Sequence, residues 1–90
     1  MDCLFVGAGA IADEYAAGLE STSLSLAGVC DLEAERAERL AAEHDCPAFT
    51  ELETALASIG APVVVNLTTH AAHAGVTRTA LAADRHVYSQ

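Results

Sequence analysis

The stretch of this 90-residue chain with the clearest chemical meaning is Gly7-Ala8-Gly9-Ala10-Ile11-Ala12. An apolar run, Cys3-Leu4-Phe5-Val6, leads into it, and a segment of helical period, Ile11 to Leu19, leads out. A strand, a glycine turn and a helix in that order can seat the pyrophosphate of a dinucleotide. Gly7 permits a tight turn. Gly9 lets phosphates approach the backbone. Ala12 stands where a small residue lets the helix pack closely on the strand. The helix start that follows offers unpaired N–H groups and a positive dipole end, which favour an anion.

A second candidate lies at the end of the next apolar run. Asp31 follows Val29-Cys30 and stands 19 positions after Ala12. An acid at that place can accept both ribose hydroxyls of an adenosine, and it repels a 2′-phosphate. Asp31 therefore favours NAD over NADP. The simpler structural role for it is to cap the following helix. Arg36, one turn into that helix, is expected to be a solvated partner of the neighbouring glutamates.

The third group is Asn66-Leu67-Thr68-Thr69-His70-Ala71-Ala72-His73. Thr68 can hydrogen-bond a phosphate or a ribose, or cap the next helix. His73 falls in the first turn of that helix, within reach of a bound cofactor or simply on the surface. His70 and His73 are spaced i, i+3, yet no carboxylate or cysteine stands beside them to complete a metal site, so none is expected.

These groups need elements to place them. The apolar pattern predicts strands at about 2–6, 24–30, 47–49, 63–65 and 86–88. Helices are predicted at about 9–20, 32–44, 71–83, and between Thr50 and Gly60. Ile11, Tyr15 and Leu19 are expected on the inner face of the first helix. Ala37, Leu40, Ala41 and His44 take that place in the second, and Leu52, Ala55, Leu56 and Ile59 in the third. Val76, Ala80 and Ala83 share a face in the last. Glu35 and Arg39 are set for an i, i+4 pair, and Thr50 with Glu53 for a capping box. Strict alternation of strand and helix predicts one α/β domain over 1–90, a doubly wound parallel sheet in the order 3-2-1-4-5. A ligand then belongs where the order reverses, at the carboxyl ends of strands 1 and 4.

The totals exclude several classes. The net charge is −9, and the four basic residues are Arg36, Arg39, Arg78 and Arg85, with no lysine. Phosphate backbones and anionic lipid need clustered cations, so neither nucleic acid nor membrane is an expected partner. The acidity suits a high-salt medium, where self-repulsion is screened, and suits equally a genome that favours Ala and Arg codons. Cys3, Cys30 and Cys46 follow no metal spacing and read as reduced thiols of a cytoplasmic protein.

Together these blocks and their spacing resemble the N-terminal half of the Gfo/Idh/MocA oxidoreductases. The likeness rests on Val6-Gly7-Ala8-Gly9-Ala10-Ile11-Ala12, Val29-Cys30-Asp31, Val64-Val65-Asn66-Leu67-Thr68, His73, Ala80-Leu81-Ala82 and His86-Val87-Tyr88-Ser89. It implies that Gly7, Gly9, Ala10 and Ile11 bind the NAD(P) pyrophosphate, that Asp31 binds ribose, and that Thr68 and His73 line the cofactor site. It also implies a Glu-Lys-Pro motif after the fifth strand, whose lysine serves catalysis. Here Thr69 replaces the usual proline, and Gln90 stands at the glutamate position, keeping hydrogen-bonding ability without the charge. The lysine and a C-terminal substrate domain would lie beyond residue 90, so no catalytic residue is assigned. The expected function is the NAD-binding domain of a dehydrogenase that moves hydride between nicotinamide and a sugar or polyol. The expected partners are the dinucleotide and the C-terminal domain, and a homo-oligomer stays open. One alternative is a non-catalytic Rossmann module that senses NAD(H) or serves in interactions. Another is a nucleotide site of the CoA type, which Asp31 disfavours.

Overall fold

Residues 1–89 are described by a computed structural model; Gln90 and the side chain of His70 lie outside the described residues. Strand β1 (Asp2–Val6) is buried at every position after Asp2. Such a strand needs cover on both faces, which places it in the middle of a parallel sheet. It is followed by α1 (Ala10–Gly18), a single 3-10 turn (Leu19–Ser21), β2 (Ser25–Cys30), α2 (Ala34–Glu43) and the two-residue β3 (Ala48–Phe49). Then come α3 (Leu52–Ser58), β4 (Val63–Asn66), α4 (His70–Ala82) and β5 (His86–Ser89). All pairings are parallel and the order is β3-β2-β1-β4-β5, as the alternation predicts.

The sheet divides the core in two. On one face Cys3, Phe5, Val29 and Val65 meet Ala12 and Ala16 of α1 and Ala37, Leu40 and Ala41 of α2. On the other, Leu4, Val6, Cys30 and Val64 meet Ala55 and Leu56 of α3 and Ala80 of α4. The register is what matters for the site. Val6 pairs with Cys30 on one side and with Asn66 on the other. Three strands thus end level, and Gly7, Asp31 and Leu67-Thr68 leave the sheet side by side.

Helices α2 and α4 stop in the same way. Cys46 N donates to Ala41 O and Asp45 N to Ala42 O; Arg85 N donates to Ala80 O and Asp84 N to Leu81 O. These paired bonds are Schellman motifs, which need a left-handed residue just past the cap. Asp45 (φ 53°) and Asp84 (φ 60°) occupy those positions, where glycine is the unstrained choice. Arg85 adds a second lock. Its Nη1 donates to the carbonyls of Ile59 and Ala61 and its Nη2 to that of Leu56, which closes the carboxyl end of α3.

Several local expectations are corrected. The inner face of α1 is Ala12 and Ala16, with Tyr15 and Leu19 packed at its edge and Ile11 exposed. Close approach of the helix to β1 leaves room only for methyl groups there. His44 is exposed at the end of α2. Thr50 does not cap α3, because the helix starts at Leu52 with Glu51 as its cap residue and no side-chain cap bond. Arg39 pairs with Asp13 of α1 (3.2 Å) and Glu43 (3.0 Å) rather than Glu35. The tertiary position of α1 brings a carboxylate that helix periodicity alone does not reveal. The faces of α3 and α4 follow the predicted spacing.

Candidate functional site

Gly7 turns the chain out of β1 with φ at 100°, in the region that side chains avoid. A Cβ on Gly7 would lie 2.7 Å from Leu67 O and 2.8 Å from Leu67 C. The glycine is therefore required both by conformation and by the backbone of the β4–α4 loop, whose Leu67 N donates to Val6 O at 2.8 Å. Gly9 differs. It caps α1 with extended geometry and no side-chain cap bond, and a Cβ there would meet nothing within 4 Å. Gly9 thus stands beside open space at the positive end of the helix. A helix start of this kind can receive an anion, and a methyl group on Gly9 would occupy that space.

Asp31 joins this turn to the next one. Its Oδ2 accepts from Ala8 N at 2.7 Å and its Oδ1 from Glu33 N at 2.8 Å. The capping role and a ligand role are compatible, since each carboxylate oxygen keeps a further lone-pair site. Arg36 pairs with Glu33 at 3.1 Å across exposed side chains, in line with the sequence reading.

Gly7, Ala8, Gly9, Asp31, Arg36 and Thr68 all line one cavity of about 580 Å³, within the usual range for small-molecule sites. Leu32, 89% exposed beside Asp31, gives the rim an apolar surface. Ala10 and Ile11 sit just outside the lining, in the first turn of α1. His73 is also outside it. Its Nε2 is buried and has no hydrogen-bond partner among the described residues. Gln90, at the predicted glutamate position, is outside the described residues. Cys30 lines the cavity, and burial, with a smaller contribution from the charge of Asp31, pushes its thiol up to about 11. Cys3 is likewise pushed to about 11, mainly by burial. Both stay protonated near neutrality and offer no nucleophile.

The residue that sequence reasoning passed over is Asn66. It is fully buried at the end of β4. Its Nδ2 donates to His73 O at 2.9 Å and to Thr77 Oγ1 at 3.0 Å. Its Oδ1 accepts from Thr68 N at 3.2 Å and from Thr68 Oγ1 at 2.6 Å. A polar residue after three β-branched strand residues was the available signal, because a buried amide must be satisfied. The network ties the cavity wall at Thr68 to the first turns of α4, and the carbonyl of His73 is one of its anchors.

Comparison with known proteins agrees with this geometry. The sequence model of the Gfo/Idh/MocA group, described as an oxidoreductase family with an NAD-binding Rossmann fold, matches residues 1–89. The predicted cofactor, NAD, is the one in that description. Among solved structures, a UDP-N-acetylglucosamine 3-dehydrogenase, GnnA, from Acidithiobacillus ferrooxidans is 31% identical with a TM-score of 0.85, over 99% of this chain and 28% of that one. GenD2 from gentamicin A biosynthesis, solved in complex with NAD, is 27% identical with a TM-score of 0.92, over 99% and 26%. The WlbA dehydrogenase from Bordetella pertussis, solved with NADH and UDP-GlcNAcA, has the same fold at 24% identity and a TM-score of 0.91, over 99% and 28%. The chain spans about a quarter of the length of these structures. Comparison with curated proteins gave no match.

Proposed function

This chain belongs to the Gfo/Idh/MocA oxidoreductase family, and on that premise we propose that it is the NAD-holding part of a dehydrogenase acting on a sugar or polyol. The observation that carries the reading is the open space at Gly9, at the start of α1, beside a carboxylate fixed at the ends of β1 and β2. In this reading the first-turn amides of α1, from Gly9 to Ile11, hold the pyrophosphate. Asp31 accepts the adenosine ribose hydroxyls, with Leu32 as an apolar wall for the base. Thr68 contacts the nicotinamide half, and His73 supports it through Asn66. Bound nicotinamide supplies the hydride acceptor or donor. The proton donor or acceptor beside the substrate comes from further polypeptide. The sugar assignment draws on the substrates named for GnnA and WlbA. No helix among the described residues is long and apolar enough to cross a membrane, and the free thiols of Cys3, Cys30 and Cys46 fit a reducing cytoplasm.

Equilibrium titration with NADH and NADPH, followed by nicotinamide fluorescence, tests the site. NADH is expected to bind more tightly, and Asp31→Ala to narrow the difference. Tighter NADPH binding by the unmodified chain would sink the role given to Asp31.

A further inference from the structure

We propose that Asn66 sets the hydrogen-bond polarity of the cavity wall: it takes the only hydroxyl proton of Thr68, so that Thr68 meets a ligand solely as an acceptor. The inference deepens the cofactor reading and rests on it for the identity of the ligand. Its physical basis lies in the orientation of one buried amide.

Side-chain amides are ambiguous until their partners are considered. Those of Asn66 leave no choice. On one side stands Thr68 N–H, which can only donate; on the other stands His73 C=O, which can only accept. Reversing the amide would set donor against donor and acceptor against acceptor. The atom facing Thr68 is therefore Oδ1, and it carries no hydrogen. Thr68 Oγ1 lies 2.6 Å from it, so the hydroxyl must be the donor in that contact. A hydroxyl has one proton and two lone pairs. With the proton committed inward, the cavity side of Thr68 presents lone pairs alone.

Such a surface selects its ligand group. It accepts from a ribose hydroxyl or a carboxamide N–H. It repels a phosphate oxygen, which has no proton to give near neutrality. The wall at Thr68 and the cradle at Gly9 thus have opposite polarities. One end of the cavity offers donors to an anion, and the other offers an acceptor to a neutral group. A dinucleotide laid across them is held in register, with its pyrophosphate unable to slide along to β4. Asn66 touches no ligand in this scheme. It is a positioning residue, and its burial with all its hydrogen-bonding groups in use keeps the amide from turning.

The test has two arms on the full chain. Proton NMR of the isotopically labelled protein reads the hydroxyl directly: Thr68 Oγ1–H is expected as a slowly exchanging signal with contacts to Asn66, absent in Thr68→Val. Rapid exchange of that proton would overturn the proposal. The second arm measures binding of ADP-ribose, which carries the second ribose, and of ADP, which lacks it. Thr68→Val is expected to weaken ADP-ribose roughly five- to tenfold and leave ADP within twofold, with Thr68→Ser restoring the affinity. Asn66→Ala is expected to weaken ADP-ribose by a smaller factor than Thr68→Val, since a freed hydroxyl still offers lone pairs but can also turn its proton outward. Equal weakening of both ligands in Thr68→Val would show the hydroxyl serving a phosphate and overturn the proposal. If the unmodified chain binds neither ligand, the cofactor reading fails and takes the ligand half of this inference with it. The NMR arm then still decides the polarity of Thr68.

Discussion

Raising the pH should unfold this domain through its buried thiols. Cys3 and Cys30 are 0% and 3% exposed, and each is held at about 11 against an ordinary 9.0. Well below pH 9 the thiols are protonated in both folded and unfolded chains and have no effect on the balance. Between 9 and 11 the unfolded chain loses these protons while the folded chain keeps them. The folded state then binds more protons, so stability falls as pH rises. At pH 10 the loss is about 1.4 kcal/mol per thiol, and above pH 11 it approaches about 2.7 kcal/mol each. Two thiols together remove roughly 5 kcal/mol, comparable to the whole stability expected of a small domain. Urea unfolding followed by circular dichroism from pH 7 to 11 reads this directly. With a slope of about 1 kcal/mol per molar urea, the midpoint should drop by roughly 2–3 M between pH 8 and 10. A Cys3→Val, Cys30→Ala variant should flatten the profile above pH 9. The same slope in that variant as in the unmodified chain would refute the argument, because the ionising groups would then lie elsewhere.

The two glycines of the turn should separate folding from binding. Gly7→Ala meets Leu67 O at 2.7 Å and a forbidden φ, so it should cost about 2–5 kcal/mol in thermal or urea unfolding. Gly9→Ala has open space around it, so it should unfold like the unmodified chain yet weaken NADH binding at least tenfold in the same fluorescence titration. Asp45→Gly and Asp84→Gly should each stabilise the domain by about 0.5–1 kcal/mol, because both relieve a left-handed aspartate at a helix carboxyl end; a lower melting temperature in either would contradict that account. Arg85→Met should cost about 2–3 kcal/mol by leaving the carbonyls at the end of α3 without their shared donor, and faster amide exchange in α3 than in α1 would locate the loss.

The sheet order and the meeting of Gly7, Asp31 and Thr68 were legible because strand and helix alternate with short links. Parallel crossovers of one hand then leave little freedom. What escaped was set by distance in space rather than in sequence. Helical period puts Ile11 inside α1, but the close packing of α1 on β1 favours Ala12 and Ala16. The i, i+4 rule offers Glu35 to Arg39, while the fold supplies Asp13. The four bonds of Asn66 span residues 66 to 77, and no local pattern announces them. Asp45 and Asp84 hide two helix stops, because the expected glycine is missing from each.

The central place of β1 fixes when this site can exist during synthesis. β1 precedes both of its partners in the chain, β2 on one side and β4 on the other. The backbone that presses on Gly7 belongs to Leu67, and the bond from Leu67 N closes on Val6 O. A nascent chain can pair β1 with β2 early, but the glycine turn stays unsupported until some sixty further residues have been added. The open edge of β1 is meanwhile a run of four apolar residues, Cys3 to Val6, available to other chains. The glycine turn is encoded with β1 and completed only when β4 arrives.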